Sequence, residues 1–249
     1  MLVLKTLKAA LIALCLLYIF PASANQIVLL GTGNGSPGEF SDLTFLLGPA
    51  DGPFSAPFTE ADFQAARAGS NAPYTNQNAF WSPGTTFGAD WVSTRSFQNF
   101  QAPNNGASAL FALDFFLVDN VFTSATLTLL GGVDNALGSD PSFPDSLLPG
   151  GGSVAGLYLN GTPLPGSTFL QGGIFSAAPF TFTSSDIAHL LVTGTNTLYL
   201  YLVDTGGPSG LAFSGQLDVV GTTVVPLPGT VWLFGAGVFA LMGLKRRAS

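Results

Sequence analysis

Residues 194–203 read GTNTLYLYLV, and this stretch decides the class of fold. From Thr197 to Leu202, leucine occupies every second position, with threonine or tyrosine between. Successive side chains of a β-strand point to opposite faces, so this period of two predicts a half-buried strand. The stretch ATLTLL at residues 125–130 repeats the pattern.

The rest of the chain predicts further short strands joined by turns rich in Gly, Pro, Ser and Thr. The predicted strands cover residues 26–30, 43–47, 109–118, 125–130, 154–159, 180–183, 197–203 and 211–220. Strands and helices do not alternate regularly, which argues against a parallel α/β sheet. We therefore predict an all-β fold, a jelly-roll-like β-sandwich with one or two short helices.

Two helices and two turns have local signals. Thr59 is the predicted N-cap of a helix over residues 60–68. Ser184 or Ser185 is the predicted N-cap of a second helix over residues 186–191. Asn160 and Gly161 form a predicted type I′ hairpin turn, because both accept a positive φ. The segment GTN at residues 194–196 is predicted to end the second helix and start a strand.

Residues 91–220 resemble the galactose-binding-like jelly roll that accompanies catalytic domains of β-galactosidase-type enzymes. The resemblance rests on a Phe-rich strand at residues 109–118 and on short motifs. These are ADWV at 89–92, SATLTL at 124–129, GVDN at 132–135, LYLNGT at 157–162, DI at 186–187 and GTNTL at 194–198. It implies a fold, and a fold by itself does not imply a bound sugar.

The N-terminus has the three parts of an export signal. Lys5 and Lys8 precede an apolar run over residues 9–20, and Ala22 and Ala24 are the small residues that signal peptidase requires. About 12 apolar residues are too few for a retained anchor, since a span needs about 20. We expect residues 1–24 to be cleaved and the exported domain to comprise residues 25–221.

The C-terminus predicts a membrane-inserted tail, residues 222–249. Its apolar stretch, residues 230–244, covers about 22 Å as a helix, and the basic end stays cytoplasmic by the positive-inside rule. The tail resembles the PEP-CTERM sorting signal, with Leu227 in place of the motif's central Glu. The residues that carry the signal are Val225, Pro226, Leu227, Pro228, Lys245, Arg246 and Arg247. The resemblance implies processing by an exosortase-type enzyme in bacteria that make extracellular polysaccharide; the alternative is an ordinary tail anchor.

Charge and composition exclude several functions. Residues 25–221 contain two basic residues, Arg67 and Arg95, and all fourteen acidic ones, which gives a net charge of −12. Such a domain repels nucleic-acid phosphates. The only cysteine, Cys15, lies in the export signal, and His189 is the only histidine. The domain therefore lacks the side chains for a thiol nucleophile, and a single histidine argues against a catalytic triad or a histidine metal cluster. We expect His189 to be structural.

One apparent nucleotide motif is better explained as a loop. Residues 33–38, GNGSPG, match the spacing Gly-x-Gly-x-x-Gly. Pro37 and a following strand leave no helix to hold a pyrophosphate, so no cofactor is expected.

The candidate ligand site is an acidic loop with aromatic neighbours. The loop contains Asp134, Asn135, Asp140 and Asp145, whose oxygen atoms could bind calcium or sugar hydroxyls. We expect a solvated turn without a ligand, and the sequence does not decide whether a metal is bound. Trp81, Trp91, Tyr74 and Tyr158 are the aromatic residues that could stack on a sugar, with Trp91 expected in the core.

We expect an exported, non-catalytic protein of the cell surface or extracellular matrix. The partners are signal peptidase, the exosortase-type enzyme, the membrane before processing, and extracellular polysaccharide. The alternative is a carbohydrate-binding module, which requires an exposed aromatic platform. A further alternative, a secreted glycan hydrolase, requires two carboxylates in a cleft, one with a shifted pKa.

Overall fold

Strands dominate the computed structural model, which describes residues 22–95, 106–118, 121–175 and 177–223. The strands are β1 (Ala22–Gly31), β2 (Phe40–Ala50), β3 (Ser70–Pro73), β4 (Ala107–Leu117), β5 (Val121–Leu137), β6 (Leu157–Leu159), β7 (Thr162–Pro163), β8 (Leu170–Gly172), β9 (Phe180–Ser184), β10 (Gly194–Val203) and β11 (Gly210–Thr223). One α-helix, α1, spans Glu60–Arg67, and single 3₁₀ turns occur at Gly84–Thr86, Pro144–Ser146 and Ile187–Leu190.

The strands form one sheet that curls into two layers. Its order is β1-β11-β5-β10-β4-β2-β3, with β6 also on β10, β7 on β6, and β8 and β9 on β5. β10 pairs antiparallel with β4 from Gly194↔Leu117 to Leu202↔Ala109. At its other end it pairs with β5 through Leu202↔Leu137. This corner joins the β4 layer to the β5 layer and confirms the predicted all-β sandwich.

The main core lies between the two layers. Leu198, Leu200 and Leu202 of β10 belong to the same buried cluster as Leu127 and Leu129 of β5. The inward faces of both layers therefore show the alternation that the sequence contains, because only alternate side chains reach the core.

The prediction that β10 is half buried is wrong, because both of its faces are buried. Tyr199 and Tyr201, on the face opposite the leucines, pack with Phe63 and Ala66 of α1. The aromatic rings of Phe63 and Tyr199 lie 4.7 Å apart. Tyrosine fits this position, because its ring is buried while the Tyr201 hydroxyl accepts a hydrogen bond from the Phe54 amide at 3.2 Å.

Helix α1 begins where the sequence predicts. Thr59 is its N-cap, and the Thr59 amide donates to the Asp62 carboxylate at 2.7 Å, as in a capping box. At the other end, the Arg67 guanidinium donates two hydrogen bonds to Asp114 of β4, at 3.1 and 2.9 Å. These contacts hold α1 against the outer face of the β4 layer.

Local predictions are confirmed at one turn and wrong in two other places. Asn160 and Gly161 have φ values of 50° and 82° and connect β6 to β7 as the predicted two-residue hairpin turn. The second predicted helix is one 3₁₀ turn, Ile187–Leu190, preceded by Asp186 rather than capped by a serine. The strand predicted at residues 154–159 begins at Leu157, since Val154 makes only an isolated bridge to Ser139.

Several predictions about the ends fall outside the described side chains. The sorting residues Val225, Pro226, Leu227, Pro228, Lys245, Arg246 and Arg247 lie beyond Thr223. Ala22 and Ala24 contribute backbone to the start of β1. Within the described ranges, no helix is long and apolar enough to cross a membrane. Asn25–Gly221 forms one compact unit, while cleavage and the domain limits stay predictions.

Candidate functional site

The predicted acidic loop does not exist as one loop. Asp134 and Asn135 belong to strand β5, whereas Asp140 and Asp145 lie in the segment that follows it. Asp140 accepts hydrogen bonds from the Ser142 amide and hydroxyl, at 2.8 and 2.7 Å, which hold the pKa of Asp140 below its usual range. Asp145 lies in the 3₁₀ turn Pro144–Ser146. Among the described residues, no three potential ligands group to hold a metal ion.

Asp134 is a buried carboxylate with a structural partner. Its Oδ2 accepts a hydrogen bond from the indole Nε1 of Trp81 at 2.7 Å, and its Oδ1 accepts one from the Asn135 amide group at 3.0 Å. Burial raises the pKa of Asp134 to about 6, the Trp81 hydrogen bond opposes this rise, and the nearby Asp204 charge adds to it. Asp134 therefore fixes the orientation of the Trp81 ring.

Asn135 and Asp204 accept hydrogen bonds that hold the segment following β10 in place. The Asn135 Oδ1 accepts a hydrogen bond from the Thr205 amide at 2.8 Å. Asp204 is fully buried, accepts hydrogen bonds from the Asp51 and Gly206 amides at 3.3 and 3.4 Å, and has a pKa that burial raises. These side chains already have intramolecular partners, so the structure explains them without a ligand.

The aromatic residues selected from the sequence are all buried. Trp81 and Trp91 stack with ring centroids 4.3 Å apart, within a cluster that also contains Phe87. The Tyr74 hydroxyl donates to the Thr32 carbonyl at 2.8 Å, and Tyr158 packs beneath α1. The core position expected for Trp91 is confirmed. Trp81, Tyr74 and Tyr158 do not form an exposed platform, because each is buried in one of the hydrophobic clusters, Tyr74 in the main core.

Two other aromatic residues form an exposed pair. Phe80 and Phe175 are 59% and 70% exposed, and their ring centroids lie 5.1 Å apart at an interplanar angle of 33°. They border a shallow cavity of about 240 Å³, together with Ala79, Trp81, Ser82 and Pro83. We call this feature the Phe80–Phe175 site.

Backbone pairing positions the two rings. The Phe175 amide donates to the Phe80 carbonyl at 2.7 Å, and the Ser82 amide donates to the Gly173 carbonyl at 2.8 Å. A Cβ at Gly173 would lie 2.6 Å from the Cα of Gly132, so only glycine allows this segment to approach β5 so closely.

Phe175 itself has a φ of 48°, in the left-handed region that few non-glycine residues occupy. Such conformations persist where the surrounding structure enforces them, and they occur often at ligand-binding positions. The Phe80–Phe175 site is thus a preformed aromatic surface on a supported backbone.

The Phe80–Phe175 site was missed by the sequence-based reasoning. The chain contains 22 phenylalanines, and nothing in the sequence distinguishes the exposed ones from those in the core. The residues are also far apart in the chain and come together only because residues 80–82 and 173–175 pair.

A second, smaller cavity of about 170 Å³ lies beside Trp91, lined in part by Thr75, Gln77 and Asp90. The Asp90 carboxylate accepts a hydrogen bond from the Gly35 amide at 3.1 Å, which orders the glycine-rich segment 33–38 as a loop and confirms that interpretation. His189 is exposed, and its Nδ1 lies 2.9 Å from the Asp186 carbonyl oxygen within one turn.

No protein-family model matches the chain, and no curated protein matches it. The solved structures that match include CBM35 from Cellvibrio japonicus Abf62, with 13% sequence identity, a TM-score of 0.31, and coverage of 80% of this chain and 99% of that chain. The fold described above is established by the strand pairing itself.

Proposed function

We propose that this chain is an exported, non-catalytic surface protein whose β-sandwich binds carbohydrate at the Phe80–Phe175 site. The sequence supports export through the signal at residues 1–24, and sorting through the tail at residues 222–249. The single observation that supports the binding role is the exposed, preformed pair of aromatic rings beside a shallow cavity.

The chemistry of the site suits the face of a sugar ring. Binding sites for small molecules are largely apolar, with a few polar groups that set orientation. Here the two phenylalanine rings offer the apolar surface, and Ser82, which also lines the cavity, supplies a polar side chain beside them. Because the domain carries a net charge of −12, the ligand is a neutral glycan rather than an acidic one.

The hydrolase alternative finds less support. Asp134 and Asp204 satisfy one of its conditions, since the pKa of each is raised and each charge lies near other carboxyl groups. Both are buried, however, and neither lines the cavity at the Phe80–Phe175 site or the cavity beside Trp91. A glycosidic bond would have to reach both carboxyl groups at once.

A glycan array with the exported protein tests the binding role. Phe80→Ala and Phe175→Ala should each weaken binding of a neutral glycan about fivefold, since an aromatic contact contributes about 1 kcal/mol. Phe116→Ala and Phe40→Ala are matched controls, because these rings are 60% and 68% exposed at other places on the surface. Both controls should bind as the wild type does.

The proposal fails if the array shows no binding, or if the four variants lose affinity equally. Release of reducing sugar by the wild type, abolished by Asp134→Asn, would instead favour the hydrolase alternative.

A further inference from the structure

The edges of the curled sheet differ in how they are protected. β1, β3, β7, β8 and β9 each pair with a single neighbouring strand in the described part of the chain, and β8 and β9 are only three and five residues long. β3 is four residues long and ends in Pro73, and β7 is two residues long and ends in Pro163. Short edge strands and prolines prevent another strand from pairing, because they offer few free backbone donors.

β1 has none of these protections. It is ten residues long, Ala22–Gly31, and the predicted cleavage leaves the seven from Asn25 to Gly31, which include neither proline nor a charged side chain. Ile27 and Leu29 point outward and are 62% and 80% exposed, while Leu30 is buried and Val28 packs against the core. Within the described part of the chain, β1 pairs only with β11. A long, apolar, unprotected edge is a template for strand addition.

Charge favours a second copy of this chain as the occupant. Two domains with a net charge of −12 repel each other wherever their carboxylates approach. β1 has no charged side chain, cleavage before Asn25 adds one α-ammonium group at its start, and its neighbour β11 carries one acidic residue, Asp218. With β1 paired to β1, the two β11 strands are three strand spacings apart, about 14 Å. That distance exceeds the Debye length of about 8 Å at physiological ionic strength, so the Asp218 charges are screened.

We propose that the exported protein forms a two-fold symmetric dimer by antiparallel pairing of β1 with β1. With the axis at Val28, Ile27 of each copy lies opposite Leu29 of the other, on the outer face of the continuous sheet. A two-fold interface must be complementary to itself, and an apolar strand without charged side chains satisfies this condition. Cleavage after Ala24 leaves the paired residues intact. The inference is independent of the Phe80–Phe175 site.

Sedimentation velocity of the exported protein over a concentration series tests the dimer. The double variant Ile27→Lys/Leu29→Lys places ammonium groups opposite each other across the axis, and like charges in this position are destabilising. We expect its dimer dissociation constant to rise at least about tenfold over that of the wild type, equivalent to about 1.4 kcal/mol. The control Leu47→Lys/Val192→Lys changes two exposed apolar residues outside β1 and brings the same charge, so it should dimerise as the wild type does.

Single cysteines test the register. In a Cys15→Ala background, which has no cysteine, an Ile27→Cys chain mixed with a Leu29→Cys chain should form mixed disulfide dimers faster than either chain alone. Opposed residues of an antiparallel pair lie about 4.5–5.5 Å apart between Cα atoms, which a disulfide spans. A protein that is monomeric at every concentration overturns the proposal. So does a dimer that resists the lysine pair at residues 27 and 29, or a β1 edge occupied by a strand of a different protein.

Discussion

At the scale of single residues, a buried acid supports the exposed aromatic pair. Asp134 holds the Trp81 indole at 2.7 Å, and Trp81 is the neighbour of Phe80 in the chain and part of the cavity wall. The carboxylate gains this hydrogen bond but loses most of its hydration, and the second effect dominates, since its pKa rises to about 6.

The pH dependence of stability should reveal this acid. The pKa of the Asp134 carboxyl is higher in the folded protein than in the unfolded chain, so the unfolded chain loses this proton at a lower pH. The free energy of unfolding therefore falls as pH rises from about 4 to about 6. The fall attributable to Asp134 is at most about 3 kcal/mol, at 1.36 kcal/mol per pKa unit. Asp134→Asn keeps an acceptor for Trp81 but does not titrate, so urea unfolding of this variant should lack that part of the fall.

Asp204 has a pKa raised in the same sense and remains in both proteins, so the difference between the two pH profiles reports Asp134 together with its charge interaction with Asp204. Parallel profiles for wild type and Asp134→Asn would contradict the assignment.

At the scale of elements, helix α1 gives the β4 layer a second buried face. Phe63 lies 5.2 Å from the Tyr158 ring and 4.7 Å from the Tyr199 ring, between centroids. The Arg67–Asp114 ion pair at its C-terminal end is partly exposed, so its contribution is small beside the apolar contacts. Packing of this one apolar side therefore stabilises the helix, which is too short to persist alone.

Phe63→Ala should lower the free energy of unfolding by about 3–5 kcal/mol, because it removes a buried ring and leaves a cavity among the tyrosines. Chemical denaturation followed by the fluorescence of Trp81 and Trp91 measures this change. Gln64→Ala, on the exposed side of the same helix, should change it by less than about 0.5 kcal/mol. Equal effects of the two substitutions would show that α1 does not pack as described.

At the scale of the whole molecule, an acidic domain lies between two segments that the sequence predicts to be terminal signals. Of seven basic residues, five are in the predicted signal and tail, and Arg67 of the remaining two is paired with Asp114. Apolar packing rather than ion pairing therefore holds the sandwich together, and the excess of carboxylates keeps its surface hydrated and repels anionic partners.

Intact-mass analysis of the secreted protein tests the predicted processing. In a host with the sorting enzyme, most molecules should begin near Asn25 and lack Lys245, Arg246 and Arg247. The physical basis is the small residues at Ala22 and Ala24, and the Pro226-Leu227-Pro228 element before the apolar stretch. Secreted protein that retains Met1 or Ser249 would refute this expectation, and the same chain in a host without the sorting enzyme is the control.

The sequence by itself determined the features that depend on neighbouring residues. Alternation in residues 194–203 indicated a strand, Asn160 and Gly161 indicated a two-residue turn because both accept positive φ, and Thr59 with Asp62 indicated a helix start. The charge balance also excluded nucleic-acid binding as a sequence-level expectation. Each of these properties is decided within a few residues or by composition.

Only the tertiary structure decided which side chains are accessible. Trp81 and Asp134 were candidates because their chemistry suits a ligand. In the structure they form a hydrogen bond with each other, although they are 53 residues apart in the sequence. Phe80 and Phe175 resembled core residues, yet pairing of residues 80–82 with 173–175 places both rings in solvent. The burial of a side chain depends on which distant parts of the chain pack over it. The local periodicity of the sequence does not contain this information.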